Sequence, residues 1–246
     1  MRVAVLSDVH GVLPALEAVL GEADVRGADL LVLTGDVAAG PMPVETIDLL
    51  VSLGERALWV GGNADRELVE AARGQASEFA ISRWAGERLR DDQVDVLAAL
   101  PARQELDLGR LGRTLFVHGT PRSDDEVVLV DSSLERWREV LDGEPADTVV
   151  LGNTHMPFAR LADRRLIVNP GSVGMPYGTD GAHWALLDSV SGAVTLRRTP
   201  LDAVEVAARL VAESEFDGIE EWVAEYVREV YSDAVALTAF ARREGR

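Results

Sequence analysis

The chain has 246 residues, 47% hydrophobic and 27% charged, with a formal net charge of -18. This is the balance of a globular protein, with no apolar stretch near the ~20 residues of a spanning helix, and its acidity disfavours long nucleic acids while concentrating cations at the surface. Every basic residue is arginine and cysteine is absent, which excludes Schiff-base lysines, thiolate nucleophiles and lysine-dependent phosphate loops.

The first hydrophobic run, Arg2 to Ser7, begins at the N-terminus without the basic head or cleavage site of a secretory signal, so a cytoplasmic location is expected. A helical stretch from Leu13 to Val25 follows, with Leu13, Leu16, Val19 and Leu20 at three-and-four spacing. A strand over Leu30 to Thr34, a helix from about Val44 to Leu53 and a strand over Leu58 to Val60 complete two right-handed βαβ units with a buried parallel sheet. Asp65 to Leu100 reads as helical, with Trp84, Leu89, Val94 and Leu97 facing the core and Pro101 as terminator.

Beyond Pro101 short strands dominate: Gln104 to Leu108, Thr114 to Val117, Thr148 to Leu151, Phe158 to Ala162 and Leu166 to Val168, with a helix near Ser132 to Leu141. Their hairpin spacing predicts a second sheet facing the first, extended by a hairpin of Trp184 to Asp188 and Ala193 to Arg198. From Leu201 to Arg246 the chain is helical and acidic. The spacing of Trp222, Tyr226, Tyr231 and Phe240 predicts packing faces there rather than nucleobase stacking. The expected organisation is one main domain over 1–200 and a C-terminal helical extension over 201–246, packed on or beside the core.

Chemistry concentrates where the strands stop. Asp8-Val9-His10 follows the first run, Gly35-Asp36 the second, Gly62-Asn63 the third, His118 the strand over Thr114 to Val117, and Gly152-Asn153-Thr154-His155 the strand over Thr148 to Leu151. Each stop supplies an oxygen or imidazole donor, so the pattern describes a metal site at one edge of a sheet. A carboxylate at Asp36, on the neighbouring strand, can bridge two ions, as in two-metal hydrolases with ions roughly 3.5 to 4 Å apart.

Taken together, Asp8-x-His10, Gly35-Asp36, Gly62-Asn63, His118-Gly119 and Gly152-x-x-His155 resemble the five motifs of the calcineurin-like metallophosphoesterases. The resemblance covers roughly residues 1 to 198. It is closest in kind to the small bacterial and archaeal phosphodiesterases, through Gly61 to Asp65 and Asn169 to Gly174. It implies an α/β fold, a four-layer α/β/β/α sandwich of two facing sheets flanked by helices. It also implies two divalent cations, with Asp8, His10 and His155 holding the first, Asn63, His118 and Asn153 the second, and Asp36 between them. Asp36, Asn63 and His118 are then the residues expected to carry catalysis. The implied reaction is hydrolysis of a small phosphate ester by in-line attack of a metal-bridging hydroxide.

Two positions depart from the family pattern. Asn153 stands where histidine is usual, and an amide oxygen suits a hard ion such as manganese or magnesium better than zinc. Manganese is therefore the expected ion, with magnesium, iron(II) and zinc as alternatives. Ala64 stands where larger members carry a histidine that protonates the leaving group. Arg122 is a candidate substrate-binding residue whose fork could hold phosphate oxygens, the alternative being a loop pair with Asp124 or Asp125. His183 lies outside every motif and is expected to be structural. The competing reading is a catalytically weak or inactive member acting as a binding module, as in a retromer subunit similar to this family. No membrane partner is expected, and assembly into a homo-oligomer is left open.

Overall fold

Strands β1 (Arg2–Leu6), β2 (Leu30–Leu33) and β3 (Ala57–Trp59) run parallel in the computed structural model, which describes residues 1–245. Leu6 sits opposite Leu33 across the β1–β2 pair. The register therefore delivers Asp8 and Asp36, a few residues further on, to the same edge.

A second sheet contains β4 (Arg103–Asp107), β5 (Arg113–Val117), β6 (Thr148–Val150), β7 (Phe158–Ala162) and β8 (Arg165–Asn169), in the order β4-β5-β6-β8-β7. Its centre, β5, β6 and β8, is parallel, while the edge strands β4 and β7 are antiparallel to their neighbours. The hairpin of β9 (Ala182–Asp188) and β10 (Ala193–Thr199) joins the first sheet, in the order β10-β9-β1-β2-β3, not the second as the hairpin spacing suggested. The apolar run of β9 pairs antiparallel with β1 from Arg2–Asp188 to Val5–Ala185, a partnership that local spacing cannot reveal.

Alternation along the strands separates the layers. Val3, Val5, Val32, Phe116, Val150, Val168 and Ala185 point into the space between the sheets and are buried together. Ala4, Leu6, Leu31 and Leu33 face outward onto helices α1 (Leu13–Gly21), α2 (Ala23–Arg26), α3 (Pro43–Val51), α4 (Asn63–Ala72), α5 (Ala80–Arg88) and α6 (Asp91–Ala98), which share one core with them. On the other side, Leu115, Val117, Val149 and Ile167 meet Trp137 and Val140 of α7 (Leu134–Val140). The four-layer sandwich is thus observed. Trp137 is fully buried, and its truncation to alanine should cost about 3–5 kcal/mol.

The helical regions are more divided than their periodicity suggested. The first breaks at Glu22, whose backbone is extended (ψ 137), and the Asp65 to Leu100 stretch forms three helices rather than one. The tail comprises α8 (Ala203–Glu213), α9 (Ile219–Val223), a π turn over Ala224–Arg228 and α10 (Asp233–Glu244). Val206, Ala207, Leu210, Trp222 and Val223 belong to the same core as α1, so α8 and α9 extend the outer helical layer. α10 lies elsewhere, with Ala236 and Phe240 packed on Val127, Leu129 and Met156. Among the described residues no helix is long and apolar enough to cross a membrane.

Candidate metal centre

The loops after β1, β2, β3, β5 and β6 converge at one edge of the sandwich, where parallel strands deliver their C-terminal ends. Backbone hydrogen bonds tie the loops together: Asp8 N–H donates to the Gly35 carbonyl at 3.0 Å, His10 N–H to Asp36 at 2.9 Å and Gly152 N–H to His118 at 2.7 Å. Asp8, His10, Asp36, His118, Asn153 and His155 are all buried.

Five of the candidate ligands occupy the left-handed region of the backbone: Asp8 (φ 54), His10 (φ 48), Asp36 (φ 56), Asn153 (φ 65) and His155 (φ 57). Such conformations cost a non-glycine residue about 1–3 kcal/mol and gather at functional sites. Each turns its side chain inward at the point where the chain leaves a strand. Glycine neighbours make room: a Cβ on Gly35 (φ 94) would stand 2.6 Å from His118 Nδ1, and one on Gly62 would strike the Asp36 carboxylate.

The three imidazoles are oriented alike. Nδ1 faces a backbone carbonyl in each, Ala39 for His10 at 3.3 Å, Thr34 for His118 at 2.6 Å and Met175 for His155 at 2.7 Å. That assigns a proton to Nδ1 in each and turns Nε2 inward, the arrangement of metal-ligating histidines. Nε2 of His10 lies 3.1 Å from Nε2 of His155. His155 Nε2 lies 3.2 Å from Asp8 Oδ1, and His118 Nε2 lies 3.2 Å from Asp36 Oδ2. Two groups could each hold a cation, Asp8 with His10 and His155, and Asp8 with Asp36 and His118, the donor atoms within 4.8 Å of one another in each.

Both Asp8 oxygens and the Asn63 Oδ1 are buried without a hydrogen-bond partner, while His118 Nε2 faces only carboxylate. Facing lone pairs and orphaned carboxylate oxygens are costly unless a cation lies among them, so the donor set fits divalent metal. Asn63 hydrogen-bonds Glu67, which leaves its Oδ1 for the centre. Asn153 Nδ2 is buried without a partner.

The electrostatics match. Burial is the largest influence on Asp36 and favours its neutral form, yet the charge and hydrogen bond of His118, the charge of His10 and the Ala64 N–H hold it well below the ordinary carboxylate range. Burial likewise opposes charge on His118, but Asp36 raises that imidazole to about 10. His10 is lowered, first by burial and then by His155.

Asp8 belongs to both groups, a sharing the sequence reading reserved for Asp36. Asp36 itself stands between imidazoles, 3.8 Å from His10 Nε2 and 3.2 Å from His118 Nε2. The Arg122 guanidinium is engaged by Glu126 and Glu139, not by Asp124 or Asp125, and Asp124 pairs with Arg66 instead. His183 is buried and tied to Thr179, away from the centre.

Asp65 went unread. Only 1% exposed, it accepts from the N–H groups of Asp36, Val37 and Gly62 and so fixes the loop that carries Asp36. Its place in Gly61 to Asp65 was the only signal. Ser172 and Asn169 act similarly, the first donating to the Asp8 carbonyl at 2.7 Å and the second to that of Gly152 at 2.7 Å.

Two facing sheets with buried Asp and His at their common edge define a metal-dependent hydrolase class. The chain belongs to the calcineurin-like phosphoesterase superfamily, whose domain model matches residues 1–192. It is 25% identical to the phosphodiesterase YfcE of Escherichia coli over 198 residues, 77% of this chain and 88% of that one. An uncharacterised protein of Methanocaldococcus jannaschii is 24% identical over 91% of this chain and 96% of its own length. Among solved structures, a metallophosphoesterase of Sphaerobacter thermophilus superposes with a TM-score of 0.73 at 26% identity, covering 92% of this chain and 99% of the other. A hypothetical protein of Pyrococcus horikoshii superposes with a TM-score of 0.77 at 19% identity, over 93% and 99%.

Proposed function

We propose that the chain is a dinuclear metal-dependent phosphoesterase that hydrolyses a small phosphate ester, a phosphodiester being the expected class. The observation that carries this reading is the set of inward-facing Nε2 atoms of His10, His118 and His155 around two unpartnered or ion-paired carboxylates. Asp8, His10 and His155 would hold one ion and Asn63, His118 and Asn153 the other, with Asp36 between. Two divalent cations there would lower the pKa of water and offset charge on the phosphoryl oxygens. The two amides favour a hard ion, manganese before zinc.

The rest of the work falls to this chain's own groups. Asp65 fixes the backbone of Asp36, and the Ala64 N–H donates to its carboxylate and favours the ionised form. A cleft of about 670 Å³ opens beside His118 and Gly62, lined by Val69 and Leu97 and bordered by Arg66, Arg103 and Arg122, room enough for a small ester. Ala64 supplies no proton to a leaving group, which favours esters of acidic alcohols. The relationship to a protein named phosphodiesterase supports the diester class.

Replacing Asp36 by alanine should remove both ions and abolish hydrolysis of bis-p-nitrophenyl phosphate. Retained hydrolysis would overturn the reading, and a wild-type chain that takes up no manganese would favour a non-catalytic binding module.

A further inference from the structure

We propose that the C-terminal helices complete the first metal position by clamping His155 through Tyr177, a role that rests on the dinuclear reading above. The ring of Tyr177 lies along that of His155, with centroids 5.4 Å apart and planes 21° from parallel. Phe240 of α10 meets Tyr177 edge-on at 6.0 Å and 70°. Three rings thus run from the tail to a candidate ligand.

His155 needs such support. Its backbone is left-handed (φ 57), a conformation that relaxes to the extended or right-handed region unless contacts hold it. The contacts come from one irregular segment, residues 175–178: the Met175 carbonyl takes Nδ1 at 2.7 Å, and Tyr177 supplies the stacked face. That segment belongs to no helix or strand; Met175 N–H donates to Ser172 Oγ at 2.7 Å, and the Tyr177–Gly178 end is held by the tail. Gly178 N–H donates to the Tyr231 carbonyl at 2.9 Å, and Phe240 braces Tyr177. α10 is in turn fixed on Val127, Leu129 and Met156, and Ser132 hydrogen-bonds Glu244 at its end.

The tail also reaches the other histidine of that position. Ser214, just after α8, donates to the Pro41 carbonyl at 2.7 Å, two residues beyond the Ala39 carbonyl that takes His10 Nδ1. Among the described residues His118 has no such link, its Nδ1 being held by Thr34 just after β2. The tail should therefore act on one ion and not on the other. Tyr177 is a positioning residue, since its contact is with a ligand and not with the reacting atoms.

The test uses the full chain and isolates each position. With His118→Ala and Asn153→Ala disabling the second position, manganese binding reports the first, and adding Phe240→Ala should weaken it about tenfold or more, the usual effect of losing a ligand's outer support. With His155→Ala disabling the first, adding Phe240→Ala should leave binding of the remaining ion unchanged. Tyr177→Ala should reproduce the selective loss and Tyr177→Phe should restore it, which keeps the test valid if Phe240→Ala does not fold. Equal losses at both positions, or none at the first, would overturn the clamp. If the wild type binds no manganese, the dinuclear reading fails while the clamp is still judged by nitrogen-15 spectra of the His155 ring. There a fixed Nδ1–H tautomer should give way to averaged signals in Tyr177→Ala, and an unchanged tautomer would overturn the proposal.

Discussion

The carboxylate of Asp65 holds the backbone of Asp36, accepting its N–H at 2.8 Å and that of Val37 at 2.9 Å. A second acid thereby determines where the first one points. Burial, then the negative charge of Asp36, pushes the Asp65 carboxyl upward, and the Gly62 and Val37 N–H groups oppose that shift. Asp65→Asn replaces one acceptor with a donor facing these N–H groups. The expected cost is about 1–3 kcal/mol in urea unfolding, together with loss of manganese stoichiometry.

Asn153 is the position at which the second ion should be most open to improvement. A histidine is compatible with the backbone there, since His10 and His155 adopt similar left-handed conformations. Asn153→His should tighten zinc binding at the second position at least tenfold and manganese less, by the greater affinity of imidazole for zinc. Competition titrations with a chromophoric chelator would measure both.

Loading metal should release a proton. In the ion-free chain His118 is raised to about 10, chiefly by Asp36 against the opposition of burial, so it is protonated at neutral pH. A ligand must be deprotonated, so second-ion affinity should climb as pH rises from 6 to 9. Calorimetry in buffers of different ionisation enthalpy should count close to one proton. The sign for stability is opposite. A raised imidazole pKa contributes stability fully below the unfolded value near 6.5, and the contribution fades as pH rises through about 10, so the chelator-treated chain should lose stability between those limits.

With alanine at position 64, hydrolysis of substituted phenyl phosphodiesters should fall steeply as the leaving phenol becomes more basic. A general acid typically contributes ~10² to 10⁴ in rate and flattens such a dependence. A shallow dependence would show that another group donates the proton.

The sequence singles out the candidate ligands because Asp8, Asp36, Asn63, His118 and His155 each follow an apolar strand run. The four layers were legible for the same reason, strands buried on both faces being nearly continuous apolar runs. Asp65 stayed hidden because an acid in the first turn of a helix ordinarily faces water, and nothing local shows that its oxygens turn back to β2. The sheet joined by β9 and β10 was hidden because hairpin spacing pairs the two strands with each other and is silent about β1. Tyr177 lies in an irregular segment with no period to interpret, and its ring partners, His155 and Phe240, are distant from it in sequence.

The left-handed backbone at five candidate ligand positions sets the proposed function against folding. Glycine adopts that conformation without penalty, so at these sites the residue that folds best is one that cannot bind a metal. Asn153→Gly should raise the melting temperature of the ion-free chain while weakening the second ion. A selection for heat resistance alone would drift toward glycine at such positions and erase the centre. Retaining Asp8, His10, Asp36, Asn153 and His155 requires that activity be selected as well.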